Sequence, residues 1–135
     1  MNKLIFLILC WTFTTAFAET PSWFPENVVE INNKCAKETQ VSYSMLINIR
    51  ERPNDIHKVQ AFLLCKLKGV NAYNEDTGLN VDRFAYIYYR STSILNSKIP
   101  LVQDCVDKNK EAASGGEMIY NVIICLIDQA EGKST

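Results

Sequence analysis

Residues 113–125, ASGGEMIYNVIIC, place two glycines directly in front of a segment that is apolar on almost every side. From Met118 to Ile127, Asn121 is the only strongly polar side chain. A helix with apolar residues all round is buried in a protein core, in a membrane or against a bound molecule. The rest of the chain decides between these three.

The beginning of the chain has the features of a secretory signal peptide. Lys3 precedes an apolar run, and Ala16 and Ala18 form a small-x-small cleavage signal, so we expect residues 1–18 to be removed and residues 19–135 to form the mature domain. Beyond the signal, the longest apolar run is the opening segment at about ten residues, and a membrane-spanning helix needs about 20. The sequence therefore predicts a secreted, extracellular protein without membrane insertion.

The size and charge of the mature chain narrow the choice further. Its 117 residues, of 135 in all, are enough for one small domain with a modest core. Of 14 basic and 15 acidic side chains only Lys3 lies in the signal, so the mature net charge is about −2. The chain has no basic stripe, and we therefore predict no nucleic-acid partner.

The cysteines predict a disulfide framework. Cys10 is lost with the signal, and the four that remain are an even number in a secreted chain, which indicates two bridges. Cys105 and Cys125 each lie ten residues from the first glycine of the pair, so an antiparallel helix pair turning there would place both about 15 Å from the turn. Cys35 and Cys65 flank the second and third helices and are plausible partners. The long intervals between cysteines exclude a zinc site made of CxxC pairs.

Helical periodicity marks the first half of the mature chain. The first helix is predicted from Phe24 to about Lys34. The second has an apolar stripe over residues 41–49 and ends at the proline-containing residues 52–54. Asp55 is predicted to cap the third helix and Gly69 to stop it. The inward-facing side chains of this third helix are expected to be Val59, Phe62, Leu63 and Leu67.

The second half is also predicted to be helical. Residues 71–78 form a loop with an Asx-type hydrogen bond and not a calcium site, because the spacing of the oxygen ligands does not fit an EF-hand. The fourth helix is predicted over residues 81–95, VDRFAYIYYRSTSIL. Pro100 is expected to start the fifth, residues 114–116 to end it, and the opening segment is the sixth. The predicted fold class is all-α, a compact single domain of about six helices around an apolar cavity, stapled by two disulfides.

Residues that carry catalysis or bind metals do not form a recognisable pattern. His57 is the only histidine, and beside Asp55 and Lys58 it is expected to lie in solvent. The chain lacks a G-x-S-x-G elbow, an H-E-x-x-H pair and a Cys-Cys-x-x-His phospholipase signature. We therefore predict that the protein is not an enzyme and uses no metal and no cofactor.

The helices, the signal peptide, the mature length and the cysteine spacing together resemble the insect odorant-binding proteins of the pheromone-binding and general-odorant-binding family. That family has six cysteines in three interlocked bridges. Counting back from Cys65 and Cys125 puts the two missing cysteines at Ala61 and Gly116, which in the family are bonded to each other. The chain thus resembles the four-cysteine, "minus-C" branch. This resemblance implies the bridges Cys35–Cys65 and Cys105–Cys125.

The glycine pair then has two compatible interpretations. Gly115 and Gly116 can form the turn between two helices, where a positive φ is needed. Alternatively, Gly116 marks a vacated cysteine and therefore a looser joint between helices.

The resemblance implies a carrier that transports small hydrophobic molecules, such as odorants or pheromones, in an internal cavity. Bulky and soft side chains shape such a cavity, and a polar tip orients the ligand. We expect the Tyr88 hydroxyl to hydrogen-bond an oxygen atom of the ligand. A membrane receptor is a further expected partner, and the chain is expected to be a monomer or weak homodimer. The predicted ligand-binding residues are Met45, Leu46, Ile49, Phe84, Tyr88, Met118, Ile119, Val122 and Ile123.

Three alternatives stay open. The same fold could carry lipids or amines outside olfaction, for example in haemolymph, saliva, venom or seminal fluid. A helical extracellular signalling ligand would bind its receptor through its surface and have a fully packed interior. A saposin-like membrane-active domain ranks third, because its cysteine pattern differs.

Overall fold

The structure, a computed structural model, describes residues 20–51, 53–90 and 95–132. Within these ranges six α-helices, one 3-10 turn (Pro53–Asp55) and one short antiparallel hairpin make up the regular structure, which confirms the all-α fold class. The predicted signal peptide lies outside the described residues. The helices are α1 (Val28–Thr39), α2 (Tyr43–Ile47), α3 (Ile56–Gly69), α4 (Val81–Tyr89), α5 (Leu95–Lys108) and α6 (Gly115–Ala130), and the strands are β1 (Tyr73–Asn74) and β2 (Gly78–Leu79).

Helix α3 organises one half of the core, because it packs against both α1 and α6. The predicted inward residues Val59, Phe62, Leu63 and Leu67 are all buried, so the predicted face of this helix is confirmed. The other half of the core is formed where α5 packs against α4 and α6. In the described ranges no helix is long and apolar enough to cross a membrane.

Helix α6 is the apolar segment with which the sequence analysis began, and it is apolar because it contacts helices on two sides. Ile119 and Val122 have no exposed surface, and Leu126 is also buried. Ser114 caps the helix: its Oγ accepts a hydrogen bond from the Glu117 backbone N–H at 3.1 Å. Glu117 in turn accepts one from the Ala113 backbone N–H, an arrangement close to a capping box.

The glycine pair does not form the turn, so the first interpretation of it is wrong. Both glycines belong to the first turn of α6, and neither has a positive φ. Both positions are glycine because neighbouring groups leave little room for a Cβ atom. A Cβ on Gly116 would lie 2.8 Å from the backbone oxygen of Gln60 on α3, so the joint here is close and not loose.

Both predicted disulfides are present. Cys35 is bonded to Cys65 with a Cα–Cα distance of 5.7 Å, and Cys105 to Cys125 with 5.8 Å. The first bridge ties α1 to α3 and the second ties α5 to α6. The prediction that two helices turning at the glycines bring Cys105 and Cys125 level was only partly right. Helix α5 already ends at Lys108, and a loop of residues 109–114 connects it to α6.

Several predicted helix boundaries differ from the observed ones. Helix α1 continues to Thr39 and ends at Gln40 in the left-handed conformation. The fourth helix ends at Tyr89, because Arg90 has a φ of 50°. The fifth begins at Leu95, and Pro100 lies inside it on an exposed face, where one lost backbone hydrogen bond is tolerated.

The ends of α3 also differ from the prediction. Asp55 precedes the helix but its side chain makes no cap hydrogen bond. Gly69 is helical, and Asn71 instead has the positive φ, of 65°. A Cβ on Gly69 would lie 2.5 Å from Ile31, so this glycine allows α1 and α3 to approach closely.

The loop between α3 and α4 has the predicted Asx turn, in which Asn74 Oδ1 accepts a hydrogen bond from the Asp76 backbone N–H at 2.7 Å. His57 is exposed, as predicted. Among the described residues no cluster of His, Cys, Asp or Glu could hold a metal ion.

Candidate functional site

Among the concavities of the described residues, two lie on opposite sides of the C-terminal half of α4. We call the first the basic cleft; it has a volume of about 150 Å³. The N-terminal segment, α1, the end of α3 and α4 enclose it. Its walls are formed by Thr20, Phe24, Val28, Lys66, Val70, Tyr86, Ile87 and Arg90.

An aromatic cluster forms one wall of the basic cleft. The rings of Trp23, Phe24 and Tyr86 contact one another edge to face, with centroids 5.6–5.8 Å apart. Asn71 fixes this segment by donating a hydrogen bond from Nδ2 to the Trp23 carbonyl at 2.8 Å. Arg83 donates to the Asn71 carbonyl and lies over the Trp23 ring. The N-terminal segment is therefore held against α4 by hydrogen bonds as well as by ring contacts.

Two cations line this mostly apolar cleft. Lys66 is only partly exposed, and burial together with the nearby charge of Arg90 lowers the pKa of its amine. Val70, next to it along the helix, has no exposed surface. Among the described residues neither cation forms an ion pair with a carboxylate. Within the described part of the chain, the cleft thus holds two positive charges that no carboxylate pairs, beside apolar walls.

The second concavity, which we call the tyrosine groove, is larger, at about 420 Å³. It lies between α4, α5 and the C-terminal end of α6. Residues 91–94 and 133–135, which adjoin its lining residues in sequence, lie outside the described ranges. The groove is lined by Tyr88, Tyr89, Lys98, Leu101, Leu126, Gln129, Ala130 and Gly132.

Stacked aromatic rings support the α4 side of the tyrosine groove. The buried Phe84 ring stacks on Tyr88 at 5.9 Å, and Tyr88 meets Tyr89 edge to face at 4.9 Å. Burial raises the pKa of Tyr88, and burial and the neighbouring Tyr88 raise that of Tyr89. Both hydroxyls therefore stay protonated at neutral pH and can donate a hydrogen bond to a ligand oxygen.

The structure distributes the nine predicted ligand residues over three places. Tyr88 lines the tyrosine groove, and Phe84 lies directly behind it. On α6, Ile119 and Val122 are fully buried, whereas Met118 and Ile123 are partly exposed and pack against the core. The residues around α2 lie elsewhere, near Tyr120, whose hydroxyl donates to the Ile49 carbonyl at 2.8 Å. They are Met45, Leu46 and Ile49, all partly exposed.

The sequence analysis missed Lys66, although the pattern contained a signal for it. The buried residues of α3 and its C-cap recur at helical spacing, and Lys66 occupies one of these inward positions. A lysine on a buried stripe is unusual, since charged groups lose free energy when they leave water. The series is Val59, Phe62, Leu63, Lys66, Leu67 and Val70.

Replacement of Lys66 by methionine is expected to stabilise the ligand-free protein at neutral pH by about 0.5–1 kcal/mol, because it removes a poorly solvated charge. The lysine pKa is lower in the folded than in the unfolded chain, so the folded state binds fewer protons between these two values. The stability of the natural protein should therefore recover relative to the variant as the pH rises through that interval. Urea denaturation at neutral and alkaline pH measures this.

The exposed Lys58 on the same helix provides the control for this substitution. Lys58→Met should change the free energy of unfolding by less than about 0.5 kcal/mol. A Lys66→Met variant that is less stable than the natural protein at neutral pH would show that the amine is compensated in the folded state.

Comparison with known proteins adds one finding to this geometry. No curated protein and no solved structure matches the chain. The model of the PBP/GOBP family matches residues 18–129, which cover all six helices up to the last residue but one of α6. The length of that match, across a helical domain with two concavities beside α4, shows that the chain belongs to the PBP/GOBP family.

Proposed function

We propose that this protein is a secreted carrier that binds small hydrophobic molecules, odorants or pheromones among them, in the tyrosine groove. The PBP/GOBP family consists of small odorant- and pheromone-binding carriers. The observation that supports this site is the volume of the groove, about 420 Å³, which lies within the range of about 300–1,000 Å³ of small-molecule pockets. Leu101 and Leu126 give the groove an apolar surface.

Tyr88 has the orienting role in this proposal. Its protonated hydroxyl donates a hydrogen bond to an alcohol, ester or carbonyl oxygen, while its ring contacts the apolar part of the ligand. Phe84 holds the ring from behind. The α6 residues Met118, Ile119, Val122 and Ile123 lie on the same helix as Leu126 of the groove, and the ligand roles of all of them, and of Met45, Leu46 and Ile49, stay a prediction.

The proposal includes processing and localisation. Removal of residues 1–18 would release the domain of residues 19–135 into extracellular fluid. We assign the chain to the four-cysteine branch, because its two bridges leave Ala61 and Gly116 where the third bridge would be. A membrane receptor is a proposed further partner, and the proposed state is a monomer or weak homodimer with no catalytic role.

Membership of the PBP/GOBP family, whose members are small odorant- and pheromone-binding carriers, favours a carrier over a signalling ligand. The same groove would also serve a carrier of lipids or amines outside olfaction. The tissue in which the transcript is found distinguishes these two carriers.

A fluorescent hydrophobic probe is expected to bind the purified protein with micromolar affinity, and odorant-sized aliphatic or aromatic compounds should displace it. Leu101 is 38% exposed, so it can be changed without opening the core. Leu101→Glu should weaken probe binding at least about tenfold, because a carboxylate in the groove must stay hydrated. Titration of probe fluorescence measures the dissociation constant.

Val29→Glu is the matched control, because Val29 is 67% exposed and lines neither concavity. This variant should bind the probe as the natural protein does. Equal loss in both variants, or saturable binding absent from a folded natural protein, would contradict the proposal. Tyr88→Phe should lower the affinity for oxygen-containing ligands alone, by about two- to tenfold, as expected for the loss of one hydrogen bond.

A further inference from the structure

The basic cleft has a charge arrangement that the tyrosine groove lacks. Two other lysines on the helices that border it have partners: Lys68, on the same helix as Lys66, pairs with Glu75, and Lys34 on α1 pairs with Glu38. Lys66 and Arg90 face the same small space, and in the described part of the chain no carboxylate forms an ion pair with either. Two like charges without a counterion destabilise each other, and an anion between them would remove that cost.

The partly buried position of Lys66 strengthens any ion pair that its amine forms. Its neighbours along the inward stripe, Phe62 and Val70, are buried, so the amine reaches the cleft from within an apolar surface. The lowered pKa of Lys66 has burial as its first cause and Arg90 as its second. An ion pair formed in such a partly desolvated position is stronger than one formed on an open surface.

The remaining walls select for an apolar body. Phe24, Val28 and Ile87 present hydrocarbon to the space, and the Tyr86 ring belongs to the aromatic cluster already described. A volume of about 150 Å³ is comparable to that of an apolar cavity that holds benzene. The cleft therefore accommodates a ligand body of about six carbons, far smaller than a long-chain fatty acid.

We propose that the basic cleft is a second binding site, separate from the tyrosine groove, for small organic monocarboxylates with an apolar body of about six carbons. The carboxylate lies between the Lys66 amine and the Arg90 guanidinium, and the body lies against Phe24, Val28 and Ile87. This proposal does not depend on the proposed function, because the two concavities have no lining residue in common.

The test compares hexanoate with hexan-1-ol, which has the same carbon chain and no charge. Titrations of the purified, ¹⁵N-labelled protein followed by amide chemical shifts should show hexanoate shifting the resonances of Val28, Val70 and Ile87. Hexanoate should bind at least about tenfold more tightly than hexan-1-ol, the contribution expected of a charge-assisted contact. Acetate and inorganic phosphate should bind far more weakly than hexanoate, because neither has the apolar body.

Three variants test the assigned residues. Lys66→Met keeps the apolar stem and removes the charge, so it should weaken hexanoate binding about tenfold and leave hexan-1-ol within about twofold. Arg90→Gln should act in the same direction. Lys58→Met removes an exposed charge from the same helix and should leave the affinities for hexanoate and hexan-1-ol unchanged.

Equal affinity for hexanoate and hexan-1-ol would overturn the proposal. So would equal affinity for hexanoate and phosphate, or hexanoate affinity unchanged in a folded Lys66→Met variant. Leu101→Glu separates the two sites, because it alters the tyrosine groove alone. Loss of the hexanoate shifts in Leu101→Glu would place the carboxylate in the groove and also refute the inference. If the two sites are separate, Leu101→Glu should lose probe binding and keep its affinity for hexanoate.

Discussion

Conversion of Cys105 and Cys125 together to alanine is expected to lower the free energy of unfolding by about 3 kcal/mol on the chain-entropy model. The bridge joins residues 20 apart, and without it the unfolded chain gains the conformations that this loop closure had removed. Both cysteines are buried, so loss of the sulfur atoms also leaves a small cavity between α5 and α6. Thermal unfolding should show a midpoint lower by about 10–20 °C.

The other bridge supplies the comparison. Conversion of Cys35 and Cys65 to alanine should cost a similar amount, about 3.5 kcal/mol on the same model, since those residues are 30 apart. The two losses should differ in their effect on binding. Loss of the Cys105–Cys125 bridge frees α5, which carries Leu101, and should weaken probe binding in the groove. Equal unfolding midpoints for the natural protein and the first variant would show that helix packing alone holds α5 on α6.

Replacement of Gly116 by alanine is expected to lower the free energy of unfolding by about 1–3 kcal/mol, the usual cost of overpacking. The new Cβ would lie 2.8 Å from the Gln60 carbonyl oxygen and 3.1 Å from its carbon. These are backbone atoms of α3, so they can yield only if α3 and α6 move apart. The better helix propensity of alanine offsets at most about 1 kcal/mol of this cost. Urea denaturation of the purified variant measures the difference.

Gly115→Ala is the matched control, one residue earlier in the same helix turn. Its Cβ would meet the hydroxyl end of Tyr73, a flexible side chain that can rotate away. We expect this variant to lie within about 1 kcal/mol of the natural protein. If both alanines cost the same, the close backbone contact at Gly116 is not what limits the side chain there.

The contact at Gly116 also bears on the third bridge that the family resemblance implies between positions 61 and 116. A cysteine at position 116 would bring the same Cβ toward Gln60, so Ala61→Cys with Gly116→Cys requires α3 and α6 to separate slightly. The gain in loop entropy is thereby reduced by lost packing. In this chain α3 and α6 are already in close contact at Gly116.

Sequence patterns predicted the core well, because periodicity reports directly which side of a helix avoids water. The stripe of α3 follows from such spacing. The pairing of both bridges was implied by the family resemblance, and the placement of Cys105 and Cys125 around the glycines supported only the second of them. Helix ends were less predictable: Pro100 resembles a helix start, yet it lies within α5 because its exposed position tolerates one missing hydrogen bond. The sequence could not show that Arg90 would adopt a left-handed conformation and end α4 before residue 91.

The candidate site was harder to predict than the core, for a physical reason. An apolar residue has the same periodicity whether its side chain meets another helix or an empty space, and the crossing of the helices decides which. Ile119 and Val122 are buried against neighbouring helices, whereas Tyr88 lines a groove. The overlooked Lys66 was a better indicator of a concavity than any apolar residue. Burial of a charge costs free energy, so a lysine on a buried stripe is not explained by core packing.

Helix α4 acts as a partition whose rotation decides what each side can bind. Tyr86, Ile87 and Arg90 face the basic cleft, whereas Tyr88 and Tyr89 face the tyrosine groove. Successive helical residues are turned by about 100°, so two extra residues inserted ahead of Tyr86 would turn this set by about 200° and exchange the two faces. The arginine would then join the groove and the tyrosines the cleft. Within this architecture, a change in the length of one helix can redistribute charge between two sites without the substitution of any lining residue.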